Sequence, residues 1–157
     1  MDIKVLLFDF SRVILNVKDE SYTGSLNKLH DQLSANADYN FFDYYQLNIE
    51  LLDYLKQYKD KYNLVVFTTG TIQNTPEIAG TIREVFSKIY TVHEIGLAKE
   101  TKDSYEYICK DLAVSPENVV FVDDQEANVI AAREAGLQGI QYSDNKQLFE
   151  QLNSILG

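Results

Sequence analysis

The sequence predicts one α/β domain in which helices cover both faces of a parallel sheet, and two observations carry that fold class. Apolar runs without polar alternation recur along the chain: Val5-Leu6-Leu7-Phe8, Leu64-Val65-Val66-Phe67 and Val119-Val120-Phe121-Val122. Such runs suit strands buried on both faces, as in a parallel sheet. Between them lie stretches with apolar residues at helical spacing, and strands alternating with helices at these lengths build a doubly wound sheet. The 157 residues suit a single domain, 1–157, with a full hydrophobic core.

Strand one covers residues 3–8. Residues 16–45 are largely polar and read as a short insertion after it. A short amphipathic helix fits there, with Leu26, Leu29 and Leu33 on one face. The aromatic stretch Tyr39-Asn40-Phe41-Phe42-Asp43-Tyr44-Tyr45 reads as packing beneath a loop. A helix over 46–58 places Ile49, Leu52, Leu55 and Tyr58 on one face, widened by Leu51. The second buried strand, 64–70, ends in hydroxyls and a glycine. Pro76 suits the first turn of a helix reaching Phe86. Residues 89–92 form a third strand, and 94–99 a loop. Thr101 or Asp103 caps a helix that buries Tyr105, Ile108, Cys109 and Leu112. Pro116 marks the turn before the acidic strand. The next helix carries Ala127, Val129, Ala131, Ala132 and Ala135, with Gly136 as its C-cap. A weak strand at 139–142 and a helix with Leu148, Leu152 and Ile155 complete about five strands.

Composition excludes several partners. A formal net charge of −10 argues against nucleic acid or an anionic membrane, which reward clustered Lys and Arg. A phosphorylated substrate needs only local positive charge and stays open. No apolar run approaches the roughly 20 residues of a membrane span, and the N-terminus has no signal-peptide layout. The single cysteine, Cys109, forms no internal disulfide, which fits a reducing cytoplasm.

Chemistry concentrates at strand ends. Asp9 closes strand one and Asp123-Asp124 close the acidic strand. In open α/β sheets ligands bind outside the carboxyl ends of the strands. Carboxylates brought together there raise one another's pKa unless a cation intervenes, and Mg²⁺ is the usual hard cation for such a group.

Four features come in order: strand plus Asp9, strand plus Thr68-Thr69, Lys99 in a loop before a helix, and strand plus Asp123-Asp124. This ordered set resembles the haloacid dehalogenase-like (HAD) hydrolase superfamily, most of whose members are phosphatases with a Rossmann-like core. The resemblance spans nearly the whole chain. It implies Asp9 as the nucleophile that forms an aspartyl phosphate. Lys99 would neutralise phosphate and nucleophile, and the Thr68 hydroxyl, with Thr69 beside it, would hold a phosphoryl oxygen. Asp9, Asp124, the Ser11 backbone carbonyl and, directly or one shell out, Asp123 would hold Mg²⁺. The implied substrate is a phosphorylated small molecule or a phosphoprotein, and an oligomer is compatible.

The sequence departs from the family pattern at one place. Family phosphatases carry a second Asp two residues after the nucleophile, which protonates the leaving oxygen. Here Ser11 stands there, and Arg12, as a phosphate contact or an obstruction, replaces the usual small residue. General acid–base catalysis is worth roughly 10²–10⁴ in rate, so a catalytically degenerate binding or regulatory domain is the competing reading. A dehalogenase fits less well, because it needs no metal-binding acid pair. A two-component receiver domain carries its acid pair on the first strand instead. The insertion is too short for a full helical cap, which predicts an open site. Asn128 reads as an orienting group or a solvated one, and His93 and His30 as solvated residues.

Overall fold

The computed structural model describes residues 2–157. In chain order, β1 (Val5–Phe8) leads into an insertion built from β2 (Leu15–Val17), α1 (Leu26–Leu33), α2 (Phe41–Tyr44) and β3 (Tyr45–Leu47). Then follow α3 (Ile49–Lys56), β4 (Asn63–Thr68), α4 (Pro76–Val85), β5 (Lys88–Thr91), α5 (Val92–Ile95) and α6 (Lys102–Asp111). The chain closes with β6 (Val119–Asp123), α7 (Glu126–Glu134), β7 (Gln138–Gln141) and α8 (Asn145–Leu156).

Five strands make one parallel sheet in the order β5-β4-β1-β6-β7. The order reverses beside β1, so the crevice that ligands use in such sheets opens over its carboxyl end. Side chains alternate across the sheet. Leu6, Phe8, Val66, Val120 and Val122 pack with α3, α4 and α8 on one face. Val5, Leu7, Val65, Phe67 and Phe121 pack with α6 and α7 on the other. Each β1 residue is therefore buried, which is why the run shows no polar alternation.

The helices follow their sequence signals closely. Pro76 opens α4, and Gly136 follows α7 at φ +98, a left-handed backbone that glycine adopts without strain. Several expectations need correction. The helix expected from residue 46 begins at Ile49, because Tyr45–Leu47 pairs antiparallel with Leu15–Val17 and Asn48 then caps the helix, accepting from the Leu51 amide at 3.3 Å. Ile49 lies on the exposed side; Leu51, Leu52 and Leu55 are the buried residues. The third strand stops at Thr91, which caps the short α5 where an extended loop was expected.

The aromatic stretch divides. Phe41 and Tyr45 are buried and stacked, 4.8 Å between centroids, whereas Phe42 and Tyr44 face outward. His30 is not simply solvated. It is half-buried against Phe41 and Tyr45, with Nδ1 2.9 Å from the Tyr39 hydroxyl. The insertion thus has a small aromatic centre of its own, closed at its base by the β2–β3 pair.

Candidate active site

The candidate site assembles where β1, β4 and β6 end. The Asp9 amide still donates to the Val122 carbonyl at 2.9 Å, so strand geometry carries the carboxylate to the sheet edge. One carboxylate oxygen each from Asp9, Asp123 and Asp124 lies within 4.8 Å of the others. Lys99 enters from the loop before α6 and binds two of them. Its Nζ donates to Asp9 Oδ1 at 2.6 Å and to Asp123 Oδ2 at 2.9 Å. The Lys99 side chain is only 3% exposed and its Nζ sits over the Phe67 and Phe121 rings, 5.4 and 5.9 Å from the centroids. Those contacts favour a desolvated cation.

Asp123 is fully enclosed and has its oxygens engaged. Oδ1 accepts from the Gln125 amide at 2.8 Å, and Oδ2 accepts from Asn128 Nδ2 at 3.0 Å besides Lys99. It holds Lys99 in place and is itself held by Asn128, which makes Asn128 an orienting group. Asp9 and Asp124 keep oxygens directed to the cavity that both line.

Charge in this cluster is unbalanced, with three carboxylates against one ammonium. Burial pushes the Asp9 carboxyl up to about 7; Lys99 opposes that shift, while Asp123 and Asp124 add to it. Burial and the Asp123 charge also raise Asp124. Burial works against the Lys99 ammonium, but Asp9 and Asp123 outweigh it and hold its pKa above the ordinary value. Asp9 and Asp124, both raised in pKa chiefly by burial, offer carboxylate oxygens to one cavity and form a hard-ligand set that fits Mg²⁺.

The cavity at this edge has a volume of about 360 Å³. Asp9, Ser11, Arg12, Thr69, Lys99 and Asp124 all line it. Thr68 does not; it is buried at the end of β4, and Thr69 presents to the cavity. His93 is exposed on α5 and does not line it. Arg12 donates from Nη2 to the carbonyls of Tyr22 and Gly24. The expectation of an open site is amended by the insertion, whose residues 23–27 form one wall. Sequence reasoning missed that wall. It also missed Glu100 at the rim and the Tyr105 hydroxyl, which donates to the Lys99 carbonyl at 2.7 Å. The helical spacing marks Tyr105 as buried, and its hydroxyl's bond to the Lys99 carbonyl appears only in the fold.

Comparison with known proteins bears on this geometry. The chain is 31% identical over 93 residues to an enolase-phosphatase E1 of Aquifex aeolicus, covering 55% of this chain and 41% of that protein. It is 22% identical over 119 residues to a D-ribitol-5-phosphate phosphatase of Bacteroides thetaiotaomicron, covering 71% and 58%. A drimenol cyclase of Aspergillus calidoustus matches at 33% over 73 residues, 46% of this chain and 14% of that one. The chain therefore spans well under two thirds of the length of these curated relatives. Among solved structures, a HAD family enzyme of Bacteroides thetaiotaomicron, in complex with magnesium and inorganic phosphate, has a TM-score of 0.64 at 19% identity, covering 94% of this chain and 99% of that one. A HAD-like family hydrolase of Porphyromonas gingivalis gives 0.68 at 17% identity, covering 99% and 98%. These likenesses establish the parallel five-stranded fold. The family model for haloacid dehalogenase-like hydrolases matches residues 15–136, well over half of the chain. With the sheet order and the matched span in agreement, the chain belongs to the haloacid dehalogenase-like hydrolase family.

Proposed function

We propose that the chain is a Mg²⁺-dependent phosphatase-type hydrolase working through an aspartyl phosphate on Asp9. The observation that carries this reading is the Asp9 carboxylate, fixed at 2.6 Å by a buried Lys99, beside the Asp124 carboxylate at the cavity floor. Relatives that are phosphatases of small phosphorylated molecules support it.

With Oδ1 engaged by Lys99, the other Asp9 oxygen attacks phosphorus, forming a P–O bond as the bond to the leaving oxygen breaks. Water then attacks the phosphorus of phospho-Asp9, releasing phosphate and regenerating the carboxylate. Phosphoryl transfer is chiefly a matter of positioning and charge neutralisation. Lys99 supplies a fixed positive charge at the nucleophile. A hydroxyl from the Thr68-Thr69 pair at the end of β4 would take a phosphoryl oxygen. Asp123 keeps Lys99 aimed at Asp9. Mg²⁺ would be held by Asp9, Asp124 and the Ser11 carbonyl, and would offset the charge of the phosphate. The substrate is a phosphorylated small molecule, because the cavity is of small-molecule size.

The test is hydrolysis of an activated aryl phosphate with and without Mg²⁺, alongside Asp9→Asn. Mg²⁺-dependent turnover that disappears in Asp9→Asn is the expected result. Turnover that survives in Asp9→Asn refutes the assignment. Ser11 favours one second reading, a domain that binds phosphate without turning it over. Mg²⁺-dependent phosphate binding by calorimetry, with no hydrolysis, would select it.

A further inference from the structure

Arg12 occupies a backbone position that does not suit it. Its φ is +65, and among the described residues only Ala113 shares a positive φ without being glycine. A side chain at such a position is strained and persists when its surroundings hold it there. The surroundings are the insertion. Arg12 Nη2 donates to the Gly24 carbonyl at 2.8 Å and to the Tyr22 carbonyl at 3.2 Å. Both carbonyls belong to the loop that enters α1, and residues 23–27 of that segment wall the cavity around Asp9.

The middle of the segment is anchored at Leu26, which is buried and whose carbonyl accepts from the Tyr45 hydroxyl at 2.8 Å; the exposed residues around it bond within the loop. The Tyr22 hydroxyl donates to the Ser25 carbonyl at 2.8 Å, and Ser25 Oγ accepts from the Lys28 amide at 3.2 Å. Its far end meets the core through Asn27, whose Oδ1 accepts from the Thr71 and Ile72 amides at 3.2 and 3.1 Å. That approach requires glycine at position 70, where a Cβ would fall 2.1 Å from Asn27 Oδ1. The wall is thus pinned at both ends to loops of the active site. One pin follows Asp9 and the other follows Thr69.

We propose that Arg12 is a positioning residue, a latch that fixes the 22–27 segment as the wall contacting the leaving group, and that this wall admits small hydrophilic phosphate esters. The substrate class rests on the phosphatase reading above; the latch does not. Both Arg12 Nη2 contacts go to loop carbonyls, which ties the guanidinium to the loop. The wall presents Thr23, Ser25 and Asn27 to the cavity, and among the described residues Leu26 is the one hydrocarbon side chain lining it. A polyhydroxylated leaving group finds hydrogen-bond partners in such a space, whereas a long hydrocarbon leaves polar groups unpaired.

The test is Arg12→Gly, which suits the left-handed backbone and so separates the latch from general unfolding. Amide hydrogen exchange is followed by NMR at Tyr22, Lys28 and Leu29, whose hydrogen bonds lie at or beside the latched loop. Expected is a rise of about tenfold in exchange there (about 1.4 kcal/mol), with no fall in Tm. Arg12→Lys should fall between the two. In the same variants, KM for a small polyol phosphate should rise about tenfold while kcat stays within about twofold, the pattern of lost uniform binding. Exchange unchanged in Arg12→Gly overturns the latch. A loosened loop with an unchanged KM overturns its role in selection. A fall in kcat at constant KM shows instead a direct contact with the transferred phosphoryl group and overturns the positioning role. If the unmodified chain hydrolyses neither the polyol phosphate nor an activated aryl phosphate, the phosphatase reading and the substrate class fail, and the exchange data still decide the latch.

Discussion

Lys99→Met removes the one ammonium from the carboxylate cluster, and its consequence can be worked through. Lys99 lies 2.6 Å from Asp9 Oδ1 and 2.9 Å from Asp123 Oδ2. At an effective dielectric near 20, each contact contributes about 6 kcal/mol of attraction, most of it offset by desolvation. Breaking a buried pair costs about 3–5 kcal/mol. A ceiling comes from chemistry, because the cluster can take up a proton instead. Protonating a carboxyl of ordinary pKa at pH 7.5 costs about 5 kcal/mol, and about 2.3 kcal/mol at pH 5.5. Where one further proton is bound by the variant, its deficit relative to the unmodified chain shrinks by up to about 2.7 kcal/mol over those two pH units. For a domain of this size a loss of 1 kcal/mol lowers Tm by roughly 2–4 °C. Thermal unfolding in chelator should therefore show a Tm lower by roughly 6–20 °C at pH 7.5 and a distinctly smaller gap at pH 5.5. No loss at pH 7.5, or an equal loss at both pH values, would refute the reasoning that Lys99 is held as the cluster's counter-charge.

Other outcomes follow from the same cluster. In the unmodified chain without metal, Asp9 binds a proton up to about pH 7 that the unfolded chain releases near 3.8. Stability therefore falls as pH rises through that window; saturating Mg²⁺ should remove the fall and add about 2.7 kcal/mol at a hundredfold excess over Kd, both read as Tm against pH. Asp124→Asn should weaken Mg²⁺ binding by at least about tenfold in calorimetry, and an unchanged affinity would remove Asp124 from the ligand set. Ser11→Asp should raise kcat/KM for an alkyl phosphate by about 10²-fold and for an aryl phosphate far less, since only the alkoxide needs a proton. Equal gains on both substrates would show that another group already donates it.

The central sheet was legible because its strands carry the information locally. Four residues of β1 and four of β6 are buried on both faces, so apolar runs ending in Asp9 and Asp123 could mean little else. The insertion was not legible, for a physical reason. β2 and β3 are three residues each, and their pairing at Leu15–Leu47 spans 32 positions of chain. No periodicity develops over three residues, so helical spacing alone merges Gln46 and Leu47 with the helix that follows. Asn48 carried a signal that the helical spacing of Ile49 outweighed. At the site, Asp9, Lys99 and Asp124 could be named from the ordered motifs. The role of Asp123 could not, because its partners Lys99, Asn128 and the Gln125 amide meet it only once β6, α7 and the loop before α6 are packed together. The same holds for Thr68 and Thr69, where the last strand residue turns inward and its neighbour faces the cavity.

The charge count at the cluster also constrains how ligands arrive. Asp9, Asp123 and Asp124 set three potential negative charges against Lys99 in a space where each acid has an oxygen within 4.8 Å of the others. A phosphate dianion entering beside them adds to the same side of the balance. Without a compensating charge it meets repulsion that one ammonium, already shared between Asp9 and Asp123, does not cancel. A divalent cation between Asp9 and Asp124 reverses that sign, and by linkage the phosphate must strengthen the cation's binding by the same factor. Ser11 acts in the same direction, since a carboxylate at that position would add a further negative charge to the cavity. The substitution that removes a proton donor from the chemistry therefore also eases the electrostatics of binding. On the phosphatase reading, Ser11 would therefore ease entry of a cation–phosphate pair while leaving an alkoxide without its proton, which ties the choice of leaving group to the residue at position 11.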